Sequence, residues 1–244
     1  MLFRSDSLRR SILLDAKADL LIYGMAERAI LEAARRLRDF AKRAEAPDAS
    51  GATPPPSATA ALRGIRGTAW AVSGEPQLPE GARAESLPSH EEILAAPRRL
   101  IDATLAAERQ MQECGGAAWL IQRAGPRAVV IAPPAAPLAP EELSALYALP
   151  FQRRAHPSYS EPVPAVKSVQ FSVTSHRGCA AGCVFCALAS HQGRRIVSRK
   201  AESIENEVAS FTRHPDFRGA VSDIGGPSAN MWGARCAADP EACK

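Results

Sequence analysis

Ser168-Val-Gln-Phe-Ser-Val-Thr174, followed at once by Ser175, His176, Arg177 and Gly178 and then by Cys179, Cys183 and Cys186, decides how this chain is read. The first seven residues alternate apolar and polar, the period of a half-buried strand, so the thiols leave the carboxyl end of that strand in a loop. Beyond the loop Ile204, Val208 and Phe211 recur at helical spacing. Gly219-Ala-Val-Ser-Asp-Ile224 then predicts a second strand, which runs into Gly225, Gly226 and Pro227. Strand, thiol loop, helix, strand and glycine pair make one βαβ unit, and ligands of such units gather at the carboxyl ends of the strands.

The spacing C-x-x-x-C-x-x-C carries chemistry. Soft thiolates suit iron-sulfur clusters and zinc alike. The order differs from the bacterial ferredoxin run, whose cysteines complete the ligand set of a cluster. Three thiolates on a four-iron cluster leave one iron open, which points to catalysis rather than electron storage. A second reading stands beside it on the spacing alone: Cys179, Cys183 and Cys186 with His176 or His191 could form a structural zinc site. The strand before the loop, the helix after it and the glycine strand beyond favour the cluster. Bare glycines let backbone approach a ligand closely, which gives Gly225 and Gly226 a binding role.

With those residues in place, the chain resembles the radical SAM superfamily, whose signature C-x-x-x-C-x-aromatic-C is met by Cys179, Cys183, Phe185 and Cys186. It resembles the YgiQ family of that superfamily in Arg9-Arg-Ser-Ile12, Lys17-Ala-Asp-Leu-Leu-Ile-Tyr-Gly24, Ala26-Glu-Arg-Ala-Ile30, Ser198-Arg199 and Ser222-Asp-Ile-Gly-Gly-Pro-Ser-Ala-Asn-Met231. The resemblance implies a 4Fe-4S cluster held by Cys179, Cys183 and Cys186, with S-adenosylmethionine chelated at the open iron. Reductive cleavage of that cofactor then starts radical chemistry on a substrate that the residues do not name. It also implies that Phe185 packs near the adenine, that Gly225 and Gly226 contact the methionyl amino group, and that a flavodoxin or ferredoxin delivers the electron. Superfamily members often carry an acidic residue after the two glycines. Here Pro227 stands in that place, and backbone carbonyls at the glycines are the expected substitute.

Other candidates have two readings each. Asp223 either caps or salt-bridges within the sheet or acts on substrate, and Asn230 caps a turn. Cys236 and Cys243 resemble the opening of a cysteine-bearing insertion in the YgiQ family, but as two isolated thiols they read as unpaired, and Cys114 reads as a small residue at a helix end. The net charge of +4, from 30 basic and 26 acidic residues, is spread along the chain, so nucleic-acid binding is not implied. Glu32 and Arg36 are spaced to pair on a solvated helix face. Arg194 and Arg195, near the thiol loop, are the basic residues placed to meet an anionic substrate or reductant.

A composition of 46% hydrophobic and 23% charged residues is that of an average globular protein. No run approaches the roughly 18 apolar residues of a spanning helix, and the first residues lack the apolar centre of a signal peptide. The cytoplasm is therefore the expected location, where thiols stay reduced and serve as ligands rather than disulfides.

The fold class expected is α/β: the end of an open, cobalamin-binding-like α/β domain, then the first strands of an incomplete radical SAM (β/α) barrel. Residues 1–75 form the remnant of the first domain, with a flexible proline-rich loop at 45–61. Residues 76–165 form a helical and hairpin connector, and 166–244 the start of the barrel with its cluster loop. Within the first segment, Ala18 to Gly24 predicts a buried strand turning into a helix with Ile30, Ala33, Leu37 and Phe40 on one face. Leu62 to Val72 predicts a strand. A helix from Glu91 to Glu113 broken at Pro97, a hairpin of Ala117–Gln122 with Ala128–Ala132 about Gly125-Pro126, and a helix at Glu141–Tyr147 follow. No D-x-H-x-x-G corrinoid pattern occurs, so a corrinoid is not expected. A barrel needs further βα units to close. The expectation is thus an internal fragment, inactive alone.

Overall fold

The computed structural model describes residues 7–45, 57–112, 116–227 and 230–235. The chain divides into two compact units, with the boundary between Ala136 and Pro137.

The first unit begins with α1 (Ile12–Asp15), β1 (Leu21–Ile22), α2 (Glu27–Glu45), α3 (Ala58–Ala61) and β2 (Thr68–Ser73). It continues with β3 (Ala84–Ser86), α4 (His90–Ala95), α5 (Arg99–Gln112), β4 (Trp119–Ala124) and β5 (Arg127–Ile131). The strands form one five-stranded sheet in the order β1-β2-β5-β4-β3. Its pairs are antiparallel except β3 with β4, which run parallel. The expected strand-to-helix step at Gly24 is present, but the strand is short and enters a mixed sheet dominated by antiparallel pairs.

Period-two alternation sorts the central strands between two faces. Trp70, Val72, Ala128 and Val130 bury one side together with Trp119. Ala69 and Val129 bury the other with Leu13 and Leu14 of α1. Trp70 and Trp119 meet edge to face, with centroids 5.8 Å apart, a geometry that adds to what their burial contributes. Because β2 bonds along β5, the expected division after residue 75 falls inside one sheet, and 76–136 belongs to the first unit.

Local signals are met at several places. The expected break in the long helix lies between α4 and α5; Glu113 lies outside the described residues. Ser89 and Glu92 form a reciprocal cap on α4. The hairpin turns at Gly125, whose φ is +56°. Three expectations are corrected. The strand predicted from Leu62 starts only at Thr68, because Leu62 closes α3, which Ser57 caps by accepting a bond from the Ala60 amide. That cap also removes 57–61 from the expected loop, of which residues 46–56 lie outside the described residues. The buried face of α2 is met only in part: Ala33 is buried as predicted and Phe40 is half-buried, but Ile30 and Leu37 are exposed and Ala29 is buried instead. Two alanines let the helix lie close to Leu62 and Ile65, and Arg36 reaches across to the Ala61 and Arg63 carbonyls. Arg36 also pairs with Glu32 at 2.7 Å, as its spacing predicted.

The second unit holds α6 (Pro140–Tyr147), α7 (Val166–Val169), β6 (Ser172–Thr174), β7 (His176–Arg177) and α8 (Leu188–Gln192). After these come β8 (Val197–Ser198), α9 (Ala201–Phe211) and β9 (Asp223–Gly225). β6 pairs with β9 in parallel, with α9 between them in sequence, so the predicted βαβ connection is present. Phe171, Val173 and Phe211 form its core against Ile204, Val208 and Phe217. Here too strand lengths are corrected. The Ser168–Thr174 strand is reduced to Ser172–Thr174, because a helical turn closed by the Gln170 amide on Val166 leaves Val169 exposed. The second strand is confined to Asp223–Gly225, after a turn at Gly219 with φ of +86°. No helix among the described residues is long and apolar enough to cross a membrane.

Candidate metal centre

The thiol loop does not leave β6 directly, as expected from the sequence, but starts at Gly178 after the short strand β7. β7 pairs antiparallel with β8, His176 opposite Ser198 and Arg177 opposite Val197. Gly178 follows with φ of +87°, and a Cβ placed there would lie 2.0 Å from the Arg195 carbonyl oxygen. Only glycine fits this approach of two backbones. The Gly178 amide donates to Gln192 Oε1 at 3.0 Å and the Cys179 amide to the Gly193 carbonyl at 3.0 Å. The first thiol is thereby anchored and buried.

Past that anchor the loop opens. Cys183 is exposed and Cys186 half-buried, and none of the three is in a disulfide. The Cys186 amide donates to the Cys183 carbonyl at 3.1 Å, a single local turn. Phe185, expected beside an adenine, is 89% exposed, and Val184 next to it is fully in solvent. Among the described residues, no three potential ligands are gathered closely enough to hold an ion. The donor chemistry of three free thiols on one loop fits an iron-sulfur cluster.

The histidines of the zinc reading are placed differently. His191 is exposed on α8. His176 is completely buried, and its ring occupies the space that a Gly226 side chain would need, the ideal Cβ lying 2.3 Å from Nε2. Burial pushes the His176 pKa below its ordinary value. Its Nδ1 lies 3.0 Å from Ser175 Oγ, which in turn donates to the Gly225 carbonyl at 3.0 Å. The same carbonyl accepts the Ser175 amide at 2.6 Å. The glycine pair is thus joined to the residues that lead into the thiol loop.

Asp223 is exposed in β9, its carboxylate close to Gly225. Asn230 accepts the Trp232 amide at 3.3 Å, the turn-capping role its type predicts. Arg194 and Arg195 are exposed beside the loop, and a Cβ on Gly182 would lie 4.0 Å from the Arg194 guanidinium. Cys114, Cys236 and Cys243 lie outside the described residues.

Sequence reading missed the clamp behind β6. The carbonyls of Phe171 and Gly225 take part in the β6–β9 pairing, so the alternate carbonyls of Gln170, Ser172 and Thr174 face the other edge of the strand. Arg153 donates to Gln170 at 2.9 Å and to Ser172 at 3.3 Å, and Arg199 to Thr174 at 2.9 Å. Glu207 bridges the two guanidiniums with one carboxylate oxygen to each. Arg199 is wholly buried, stacked over the Tyr147 ring at 4.4 Å, and its backbone carbonyl accepts Trp232 Nε1 at 2.9 Å. A signal existed: Glu207 falls on the same helical face as Ile204, Val208 and Phe211, and a carboxylate on an apolar stripe calls for a buried cation.

These features define a mixed α/β protein in which a glycine pair at the end of one of two parallel strands packs on the residues that lead from the other into a three-thiol loop. The chain belongs to the radical SAM N-terminal family, whose description, Radical SAM N-terminal, matches residues 2–172. It is also similar to UPF0313 proteins, the YgiQ-like family. The UPF0313 protein of Geobacter sulfurreducens is 47% identical over 95% of this chain and 35% of its own length. Those of Methanocella arvoryzae, at 38% over 95% of this chain and 35% of the relative, and Bacteroides thetaiotaomicron, at 39% over 93% and 36%, are similar as well. The chain therefore spans about a third of the length of these curated relatives. No solved structure matches it.

Proposed function

We propose that this chain carries the cluster-binding part of a radical SAM enzyme of the YgiQ type, acting in the cytoplasm on a substrate whose site lies outside the described residues. In this reading the first unit, which contains residues 1–75, derives from a cobalamin-binding-like domain, and 166–244 begin a (β/α) barrel. The observation that carries it is the spacing of Cys179, Cys183 and Cys186 in a loop that follows β6 and β7, with the residues leading into it bonded to the glycine pair at the end of β9. Cys179, Cys183 and Cys186 would hold a 4Fe-4S cluster, which when bound supplies reductive cleavage of S-adenosylmethionine. The chain's own residues have distinct tasks. Gly178 fixes the start of the loop, Gly225 and Gly226 bring backbone to the amino-acid end of the cofactor, and the exposed Phe185 is available to cover its adenine. A flavodoxin or ferredoxin would deliver the electron, and the exposed Arg194 and Arg195 offer such an acidic partner complementary charge.

The test is iron and sulfide content after anaerobic reconstitution, with electron paramagnetic resonance of the reduced chain before and after S-adenosylmethionine. About four irons and four sulfides per chain, with a spectrum that changes on adding the cofactor, is the expected result. Zinc in place of iron, or a cluster indifferent to the cofactor, would make the loop a structural module and overturn the proposal.

A further inference from the structure

We propose that in the cluster-free chain Cys183 and Cys186 close a disulfide that leaves Cys179 out and blocks metal loading, a regulation of the loop that rests on the function proposed above. Among the described residues no three ligands are gathered for an ion, yet two of the three thiols share one turn. The Cys186 amide donates to the Cys183 carbonyl at 3.1 Å across Val184 and Phe185. A four-residue turn of this kind keeps its end Cα atoms within about 7 Å, and disulfides span Cα separations of about 4.4–6.8 Å. The backbone is therefore already close to the geometry that the bond requires.

Access selects the same pair. Cys183 is exposed and Cys186 half-buried, whereas Cys179 is buried and its amide is held on the Gly193 carbonyl at 3.0 Å. Val184 and Phe185 are both exposed, so no packed side chain opposes adjustment of the turn. The oxidant is a low-molecular-mass disulfide, glutathione disulfide being the probe. The Cys183 thiolate attacks one of its sulfurs, which forms a mixed disulfide and expels one glutathione thiolate. The Cys186 thiolate then attacks the Cys183 sulfur, which closes the protein bond and expels the second. Two protein thiols are oxidised, one glutathione disulfide is reduced to two glutathione thiols, and the cysteine protons pass to these through water. Cysteines two residues apart are common partners in such exchange, and disulfides formed in a reducing compartment are transient and redox-sensing. Closure withdraws two of the three sulfur ligands, so the loop accepts a cluster only after the bond is reduced.

The experiment uses the whole chain, purified without metal under anaerobic conditions and incubated with glutathione disulfide. Free thiols are alkylated and the chain is cut with trypsin; cleavage after Arg177 and Arg194 releases one peptide that holds Cys179, Cys183 and Cys186 and no other cysteine. Fragment-ion spectra should show it bridged from Cys183 to Cys186, with the alkyl group on Cys179. Cys179→Ser should still close the bridge, and Cys186→Ser should stop as the glutathione adduct of Cys183. A bridge that includes Cys179, or an adduct that persists on wild-type Cys183, overturns the proposal. Metal loading is then read with cobalt(II), whose thiolate absorption band reports sulfur ligation, in a chain carrying Cys114→Ser, Cys236→Ser and Cys243→Ser. The bridged chain should lose the band and the reduced chain should regain it; equal bands in both overturn the regulation. The reduced chain is separately assayed for iron and sulfide after reconstitution. Failure there overturns the function proposed above, whereas failure of the bridge to form, with iron and sulfide taken up, overturns only this inference.

Discussion

Glu207→Ala is the most informative perturbation of the second unit. The carboxylate is 6% exposed and stands between Arg199, with no side-chain exposure, and Arg153, at 16%. Replacing a buried ion pair by well-packed apolar groups can be neutral, but removing one partner leaves uncompensated charge and costs about 3–5 kcal/mol. Here the deletion strands two guanidiniums, both of which also support carbonyls on the open edge of β6. Local opening of β6 and β9 should therefore rise by about two to four orders of magnitude, since each 1.36 kcal/mol is a factor of ten. Native-state hydrogen exchange measures this, with the Ser175 amide bonded to Gly225 as reporter. Amides of β2 and β5 in the first unit serve as the internal control. Glu207→Gln, which keeps one acceptor oxygen, should fall between wild type and Ala. A change below tenfold at Ser175, or an equal change in both units, would refute the view that the triad holds the cluster strand.

The remaining predictions concern local geometry. Gly178→Ala must place a Cβ against the Arg195 carbonyl at a φ of +87°; the left-handed conformation alone costs about 1–2 kcal/mol, so faster exchange in β7 and β8 and reduced iron uptake on reconstitution are expected. Gly226→Ala drives a methyl group into the His176 ring and should lower the melting temperature through overpacking worth about 1–3 kcal/mol, whereas adding His176→Ala should recover most of that loss, a coupling that a double-mutant cycle reads directly. The Glu92 carboxyl is held below its ordinary pKa, first by the Ser89 amide and also by Arg99. Its capping contribution is therefore full above the ordinary carboxylate pKa and is lost as pH falls through the lowered folded value. Glu92→Gln should flatten that acid limb in thermal melts followed from pH 7 downward.

Much of the fold was legible where its signals are local. Ile204, Val208 and Phe211 mark one helical face, and Gly125-Pro126 marks a turn between apolar runs. Alternation was a weaker guide. Val169, Phe171 and Val173 share a two-residue period, yet Val169 lies in a helical turn, since a short run does not distinguish a strand from a turn leading into one. The face of α2 was misread at Ile30 and Leu37, because the small Ala29 and Ala33 carry little hydrophobic weight in a sequence yet allow close approach to Leu62 and Ile65.

By itself the sequence determined the spacing of Cys179, Cys183 and Cys186, the glycine pair after the second strand, and the strand-helix-strand order between them. These are properties of neighbouring residues and survive any uncertainty about the rest of the chain. Only the tertiary structure decided that β2 completes its sheet with β5, that Arg153 meets Glu207 from 54 positions away, and that Ser175 reaches the Gly225 carbonyl from 50. Periodicity encodes which way a side chain faces within its own element. Which distant element it meets depends on burying apolar faces and satisfying polar groups together, and that selection is made only when the whole unit packs.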